Sequence, residues 1–175
     1  FQCKIVPILS QGDLNLDRPL HELGITGIFT KTLDTALLNK DIDVAVHSLK
    51  DVPTKLPDGI IQSAVLKRSG FSDVFVINEK KDFDINSKPI IATGSLRRRA
   101  QWLNKYPQSR VIDLRGNVNT RLKKIQEGSC NGGVFAEAGL ERLGIKPNKS
   151  ITLSWMVPAP AQGVIMLATR EDDDF

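Results

Sequence analysis

The chain has 175 residues, 41% hydrophobic and 25% charged, with a formal net charge of +4. That composition is ordinary for a globular protein and fits one large domain or two small ones. Two cysteines, Cys3 and Cys130, are too few for a disulfide framework and lack metal-ligand spacing, and no apolar run approaches the ~20 residues that span a bilayer.

In chain order, residues 3–9 read as a strand. The polar stretch 10–27 carries Gly12, Pro19, Gly24 and Gly27, and a loop of that length inside a compact domain is commonly a lid or a disordered segment. Residues 29–40 predict a helix with Leu33, Ala36 and Leu37 on one face and Thr30 as N-cap. Residues 43–48 predict a buried strand, and 59–66 and 72–79 two more. The segment 67–70 between those two is a candidate hinge.

From residue 88 the pattern becomes regular. A strand at 89–92 precedes a helix beginning near Ser95 and stopped by Pro107. A strand near 109–114 precedes a helix with Asn117 as N-cap, Val118, Leu122 and Ile125 on one face, and Gly128 past its end. A strand at 132–139 and a short helix at 140–144 complete a βαβαβα run, the mark of a parallel sheet covered by helices. Residues 154–163, rich in Pro and Gly, form a second connector. Residues 164–171 are a last strand, expected to return to the first domain.

In open α/β sheets, ligands bind beyond the carboxyl ends of the strands. Ser48, Lys50 and Asp51 follow one strand; Thr93, Ser95, Arg97 and Arg98 follow another; Arg115 and Gly116 follow a third, with Arg121 a helical turn on. Two cations ~4 Å apart repel by roughly 4 kcal/mol at an effective dielectric near 20, so a rim of arginines calls for an anion among them. Arginine forks match carboxylates, and the expected ligand carries several carboxylates or phosphates. His47, on an apolar strand, reads as a packed core residue. Ser48 lacks a base partner for acyl transfer, and Cys130 reads as inert. No Walker loop, dinucleotide fingerprint or metal site is present.

The stretches FTKTLDTALLNKDIDVAVHSLKDVPTKLPDG, ATGSLRRRAQW, LRGNVNTRLKK, AEAGLERLG and PAPAQG closely resemble the porphobilinogen deaminase (hydroxymethylbilane synthase) family, in order and over nearly the whole chain. The resemblance implies a transferase of porphyrin and haem biosynthesis, cytoplasmic and monomeric, with neither nucleic acid nor membrane as partner. Such an enzyme joins four porphobilinogen molecules, with loss of ammonia, into the linear tetrapyrrole hydroxymethylbilane. The implied fold is α/β: two periplasmic-binding-protein-like lobes with mixed, mostly parallel sheets and a hinge. Domain 1 would comprise 1–70 and 163–175, and domain 2 would comprise 71–162. The family's third domain, whose cysteine holds a dipyrromethane cofactor, is not expected in this chain, nor is its N-terminal Arg-Gly-x-Arg segment. The chain reads as a fragment, inactive in isolation.

The resemblance also implies roles. Asp51 is the catalytic aspartate, assisting loss of the amino group and stabilising positive charge on pyrrole nitrogens. Ser48 and Lys50 contact the cofactor. Thr93, Ser95, Arg97, Arg98, Arg115, Gly116 and Arg121 bind carboxylates, and Gln162 is a contact near the hinge. Phe29 and Arg142 bind substrate, and Asp13 begins a mobile loop. Thr26 stands where the family usually has lysine. A two-lobed module that clamps a polycarboxylate without chemistry is the competing reading, but such a trap gains little from a carboxylate beside its arginines. Nucleic-acid binding fits poorly with 6% aromatics and a small net charge.

Overall fold

The computed structural model describes residues 2–10, 27 and 29–173. Its elements are α1 (Lys31–Leu38), β1 (Ala45–Ser48), β2 (Ile60–Val65), β3 (Asp73–Ile77), β4 (Ile90–Ala92), α2 (Leu96–Lys105), β5 (Arg110–Ile112), α3 (Val118–Glu127), β6 (Gly132–Ala136), α4 (Glu137–Arg142), β7 (Ser150–Thr152) and β8 (Ile165–Arg170). A single 3-10 turn, Leu49–Asp51, follows β1.

Two sheets define two lobes. The first has the order β1-β8-β2 and is antiparallel throughout, with Ala45 opposite Ala168 and Ile60 opposite Arg170. The last strand therefore lies between two early ones. Leu37 of α1 packs with Ala45, Ile60, Met166 and Ala168 to form this lobe's core.

The second sheet has the order β5-β4-β6-β3-β7. Strand β4 runs parallel to β5 and β6, and the helices α2 and α3 make the crossovers that parallel pairing requires. Strand β3 pairs antiparallel with β6 and β7. The run DVFVI is apolar almost throughout because both faces of β3 are covered. Val74 and Val76 pack with Leu114, Ile125 and Phe135 on one side. Phe75 packs with Ile91, Trp102, Val134 and Leu153 on the other. Phe75 lies 5.1 Å from Trp102, and Trp102 lies 5.3 Å from Tyr106 and 5.9 Å from Trp155, centroid to centroid.

The two-lobed mixed α/β architecture is as expected, but its parallel majority is not. Among the described residues the two parallel ladders of β4 are outnumbered by four antiparallel ones. The cause is that β8 closes the first sheet and β7 adds an edge to the second. The sequence pattern does not reveal β7, whose three residues are all exposed and which pairs with β3 alone.

Three local expectations need correction. Residues 3–9 form no strand: they carry no regular structure, and Ile5 is 90% exposed, for want of a pairing partner among the described residues. The predicted buried strand at 43–48 is shorter and lies at a sheet edge, so it alternates; Ala45 and His47 are buried while Val46 is 58% exposed. Thr30 occupies the N-cap of α1, but its hydroxyl donates back to the Gly27 carbonyl (3.4 Å) instead of capping a helix N–H. Asn117 does cap α3, its Oδ1 accepting from the Thr120 amide at 2.9 Å. The lid expected at 10–27, with Asp13 and Thr26, falls almost entirely outside the described residues.

The lobes are joined by two closely laced segments. The Leu66 amide donates to the Ile165 carbonyl (2.9 Å) and the Ser69 amide to the Gly163 carbonyl (3.0 Å). Arg68 Nε donates to the Gln162 carbonyl (2.9 Å), and Gln162 Nε2 donates to the carbonyls of Phe71 (2.8 Å) and Ser72 (3.3 Å). Gly163 has φ +92°, and a Cβ there would meet the Ser69 carbonyl oxygen at 2.7 Å. Only glycine supplies that conformation and that approach together.

Candidate active site

The site begins at the end of β1. The 3-10 turn takes the chain sharply off the strand and presents Lys50 and Asp51 side by side. Asp51 is open to solvent yet has protein packed about it, as expected of a group on the wall of a cleft. Desolvation raises its carboxyl above the ordinary value of 3.8, against the opposing pull of Lys50, Arg98 and Arg121. Desolvation likewise lowers the Lys50 ammonium below 10.5, while Asp51 and Asp73 oppose that shift and Arg98 and Arg97 reinforce it. A turn of the first lobe and charged groups of the second are thus close enough to act on one another.

The second lobe supplies these groups from the strand exits. After β4, Thr93 is buried and its Oγ1 accepts from the Ser95 amide (3.2 Å). Ser95 caps α2, its Oγ facing the Arg98 amide (3.4 Å). The first turn of α2 then carries Arg97 and Arg98, where the free helix N–H groups also favour an anion. After β5, Arg115 is buried and Gly116 turns the chain at φ +109°. Arg121 reaches back from α3, its Nε donating to the Gly116 carbonyl at 2.6 Å. Burial lowers the Arg121 guanidinium from its ordinary value, with Arg98 and Arg115 adding to that effect and Asp51 opposing it.

Sequence reasoning missed one member, Asp73, the first residue of β3, with 0% exposure. Its Oδ1 accepts from Arg98 Nε (3.0 Å), Arg98 Nη2 (2.8 Å) and Gln162 Nε2 (3.0 Å). Its Oδ2 lies 2.7 Å from Arg97 Nη2, an ion pair without the alignment of a hydrogen bond. Arg98 Nη1 donates to the Val134 carbonyl (3.0 Å), and Arg97 Nη1 donates to the Val157 carbonyl. The anion that the arginine rim demands is therefore supplied in part from within the protein, and Asp51 is not the rim's lone acid. The one signal available in the sequence was an acid opening an otherwise apolar strand.

Other candidates sit elsewhere or do other work. Gln162 is buried in the connector; three acceptors face its Nε2, and its Oε1 has no donor among the described residues. Arg142, at the end of α4, donates Nη2 to the Gly163 carbonyl (2.7 Å), so its fork is engaged by the connector. Phe29 is half-buried in the turn before α1, and Ser48 is half-buried ahead of the 3-10 turn without capping it. His47 is packed, as expected of a core residue, and burial lowers its imidazole below 6.5. Cys130 is buried, and its thiol is pushed upward by desolvation, which suits an inert side chain. A pocket of about 370 Å³ in the second lobe, lined by Phe75, Phe83, Trp102, Tyr106 and Trp155 among others, contains none of the candidate site residues.

The fold and this charged cluster define a two-lobed α/β protein in which a lysine and a carboxylate of the first lobe meet the arginines of the second. A structural likeness supports the fold alone: CbnR, a LysR family transcriptional regulator, superposes with a TM-score of 0.51 at 13% identity, over 82% of this chain and 51% of that one. The model of the family described as porphobilinogen deaminase, dipyrromethane cofactor binding domain, matches residues 1–175, and the chain belongs to the porphobilinogen deaminase family. A probable porphobilinogen deaminase of Methanocaldococcus jannaschii is 43% identical over 175 residues, covering 99% of this chain and 60% of the relative. The chloroplastic porphobilinogen deaminase of Pisum sativum is 46% identical over 175 residues, covering 98% of this chain and 47% of the relative. The chain thus spans about half to three-fifths of these relatives' length.

Proposed function

We propose that the protein is a transferase of tetrapyrrole biosynthesis, a hydroxymethylbilane synthase that joins four porphobilinogen units with loss of ammonia. The observation that carries this reading is Asp51, a carboxylate of raised pKa set beside Lys50 and within reach of Arg98 and Arg121. Porphobilinogen combines carboxylate arms with a pyrrole N–H that becomes more acidic as positive charge develops on the ring. The cleft offers the matching set: cations for the arms and an acceptor for the N–H.

In this reading Arg97, Arg115, Arg121 and Lys50 hold carboxylate side chains, with Thr93, Ser95 and Gly116 shaping the strand exits that place them. Asp51 accepts the pyrrole N–H and offsets positive charge on the ring during loss of the amino group. Preorganised charge of this kind is commonly the largest single catalytic contribution. A carboxyl raised by burial is also a better proton carrier near neutrality than a fully solvated one. Phe29 and Arg142 serve substrate binding from the cleft margin. Domain 1 is assigned to 1–70 and 163–175, and domain 2 to 71–162.

The same donor set fits a dipyrromethane, which also combines carboxylate arms with N–H groups. The orphaned Gln162 Oε1 is an acceptor suited to one such N–H. Ser48 and Lys50 would hold the group from the first lobe and the arginines from the second. When bound, it supplies the pyrrole terminus to which new units are joined.

The test is hydroxymethylbilane formation by the intact protein. Asp51→Ala is expected to lower kcat by roughly 10²–10³, the usual loss when one stabilising group is removed. An Asp51→Ala protein with wild-type kcat would overturn the role given to Asp51. Failure of the wild-type protein to form product would overturn the reading itself.

A further inference from the structure

We infer that Asp73 is a positioning residue for this reaction, resting on the function proposed above: it holds Arg97 in its working place beside the buried Arg98 and ties that placement to the interlobe connector. Three observations carry this. First, Arg98 is 6% exposed, and Asp73 and the Val134 carbonyl engage its Nε, Nη1 and Nη2. Arg98 is thus built into the second lobe as an anchor. Second, Arg97 is the more open of the two, with a side chain 25% exposed, and it is held at two points, by Asp73 Oδ2 and by the Val157 carbonyl. Its remaining N–H groups are left for a ligand. Third, Oδ1 of the same carboxylate accepts from Gln162, whose amide also binds Phe71 and Ser72 of the other connecting segment. One carboxylate therefore joins both arginines to both crossings between the lobes.

Two adjacent guanidinium groups repel, and a flexible pair would splay as soon as no ligand lay between them. A fixed internal carboxylate keeps the pair together before the ligand arrives. The ligand then meets a formed site and need not spend binding energy on assembling one. Without Asp73 the net positive charge of the cleft rises, so capture of an anionic substrate persists. What is lost is the placement of Arg97 when the reacting atoms must align.

The expected result follows for the intact protein assayed with porphobilinogen. Asp73→Asn lowers kcat at least tenfold and changes KM by less than threefold, per folded molecule counted by circular dichroism. Arg97→Lys lowers kcat in the wild-type background but by less than threefold in the Asp73→Asn background, because the placement it would spoil is already gone. Asp73→Glu, which keeps the charge but displaces it by one methylene, gives the same kcat-weighted loss and serves if Asp73→Asn does not fold. The inference is overturned if either Asp73 variant folds and turns over at the wild-type rate. It is also overturned if the loss falls on KM alone, or if the Asp73 and Arg97 effects multiply in full. An inactive wild-type protein would count against the proposed reaction and is distinguished from these outcomes by the wild-type control.

Discussion

At the residue scale, the two aspartates near the arginines show why burial and charge must be read together. Asp73 has no exposure and is matched by two guanidinium groups; Asp51 is reachable by solvent and shares its surroundings with three cations. Removing one partner of a buried ion pair typically costs about 3–5 kcal/mol, so Asp73 bears on stability as well as placement. Asp51 and its arginines were legible in the sequence because they follow strand ends within recognisable stretches. Asp73 was not, since a single acid at the head of a buried strand has no local pattern; its partners lie 24, 25 and 89 positions away. His47 yields a pH prediction. Burial depresses its imidazole, with the Asp34 carboxylate opposing, so below the unfolded value near 6.5 the unfolded chain binds more protons than the folded one. The stability it contributes is present above that value and lost as pH falls through the window beneath it. Asp34, raised by its own burial, acts in the opposite sense just above its ordinary value of 3.8. The thermal midpoint is therefore expected to fall from pH 7 toward 5.5, and His47→Gln should flatten that slope; equal slopes in both proteins would refute the assignment.

At the element scale, long periodic segments were legible and short edges were not. Helices α2 and α3 declare themselves through caps, a terminating proline and a repeating apolar face. Strand β7 pairs on one side only and buries none of its three residues, so it leaves no alternation to read. Residues 3–9 show the converse: an apolar run predicts a strand, but a strand exists only where another edge completes its hydrogen bonds. The connector yields the prediction at this scale. Gly163→Ala would force a side chain into positive φ and bring its Cβ to 2.7 Å and 2.9 Å from the Ser69 and Gly70 carbonyl oxygens. A loss of about 1–3 kcal/mol is expected in denaturant unfolding. An unchanged midpoint would mean that the two segments separate at little cost. Ser69 and Gly70 also donate to the Glu141 carboxylate, at 2.6 and 3.0 Å, so the strain would fall on a part of the connector that is already fastened to α4.

At the scale of the whole molecule, the two lobes have different kinds of core. Among the described residues, the first is a three-stranded sheet under one helix, held by aliphatic side chains, alanines and one methionine. The second encloses a five-stranded sheet between two apolar clusters, one of them built on aromatic rings. The chain's two tryptophans and its one tyrosine, Trp102, Trp155 and Tyr106, all belong to that second cluster. The lobes therefore differ in what light can see of them. Indole and phenol absorption and tryptophan emission come from the second lobe alone, whereas far-ultraviolet circular dichroism samples both. If the connector couples the lobes into one cooperative unit, the two signals will change together during unfolding. If it does not, emission will hold steady while ellipticity is lost from the first lobe, and the gap between the curves will measure how far one half can come apart without the other.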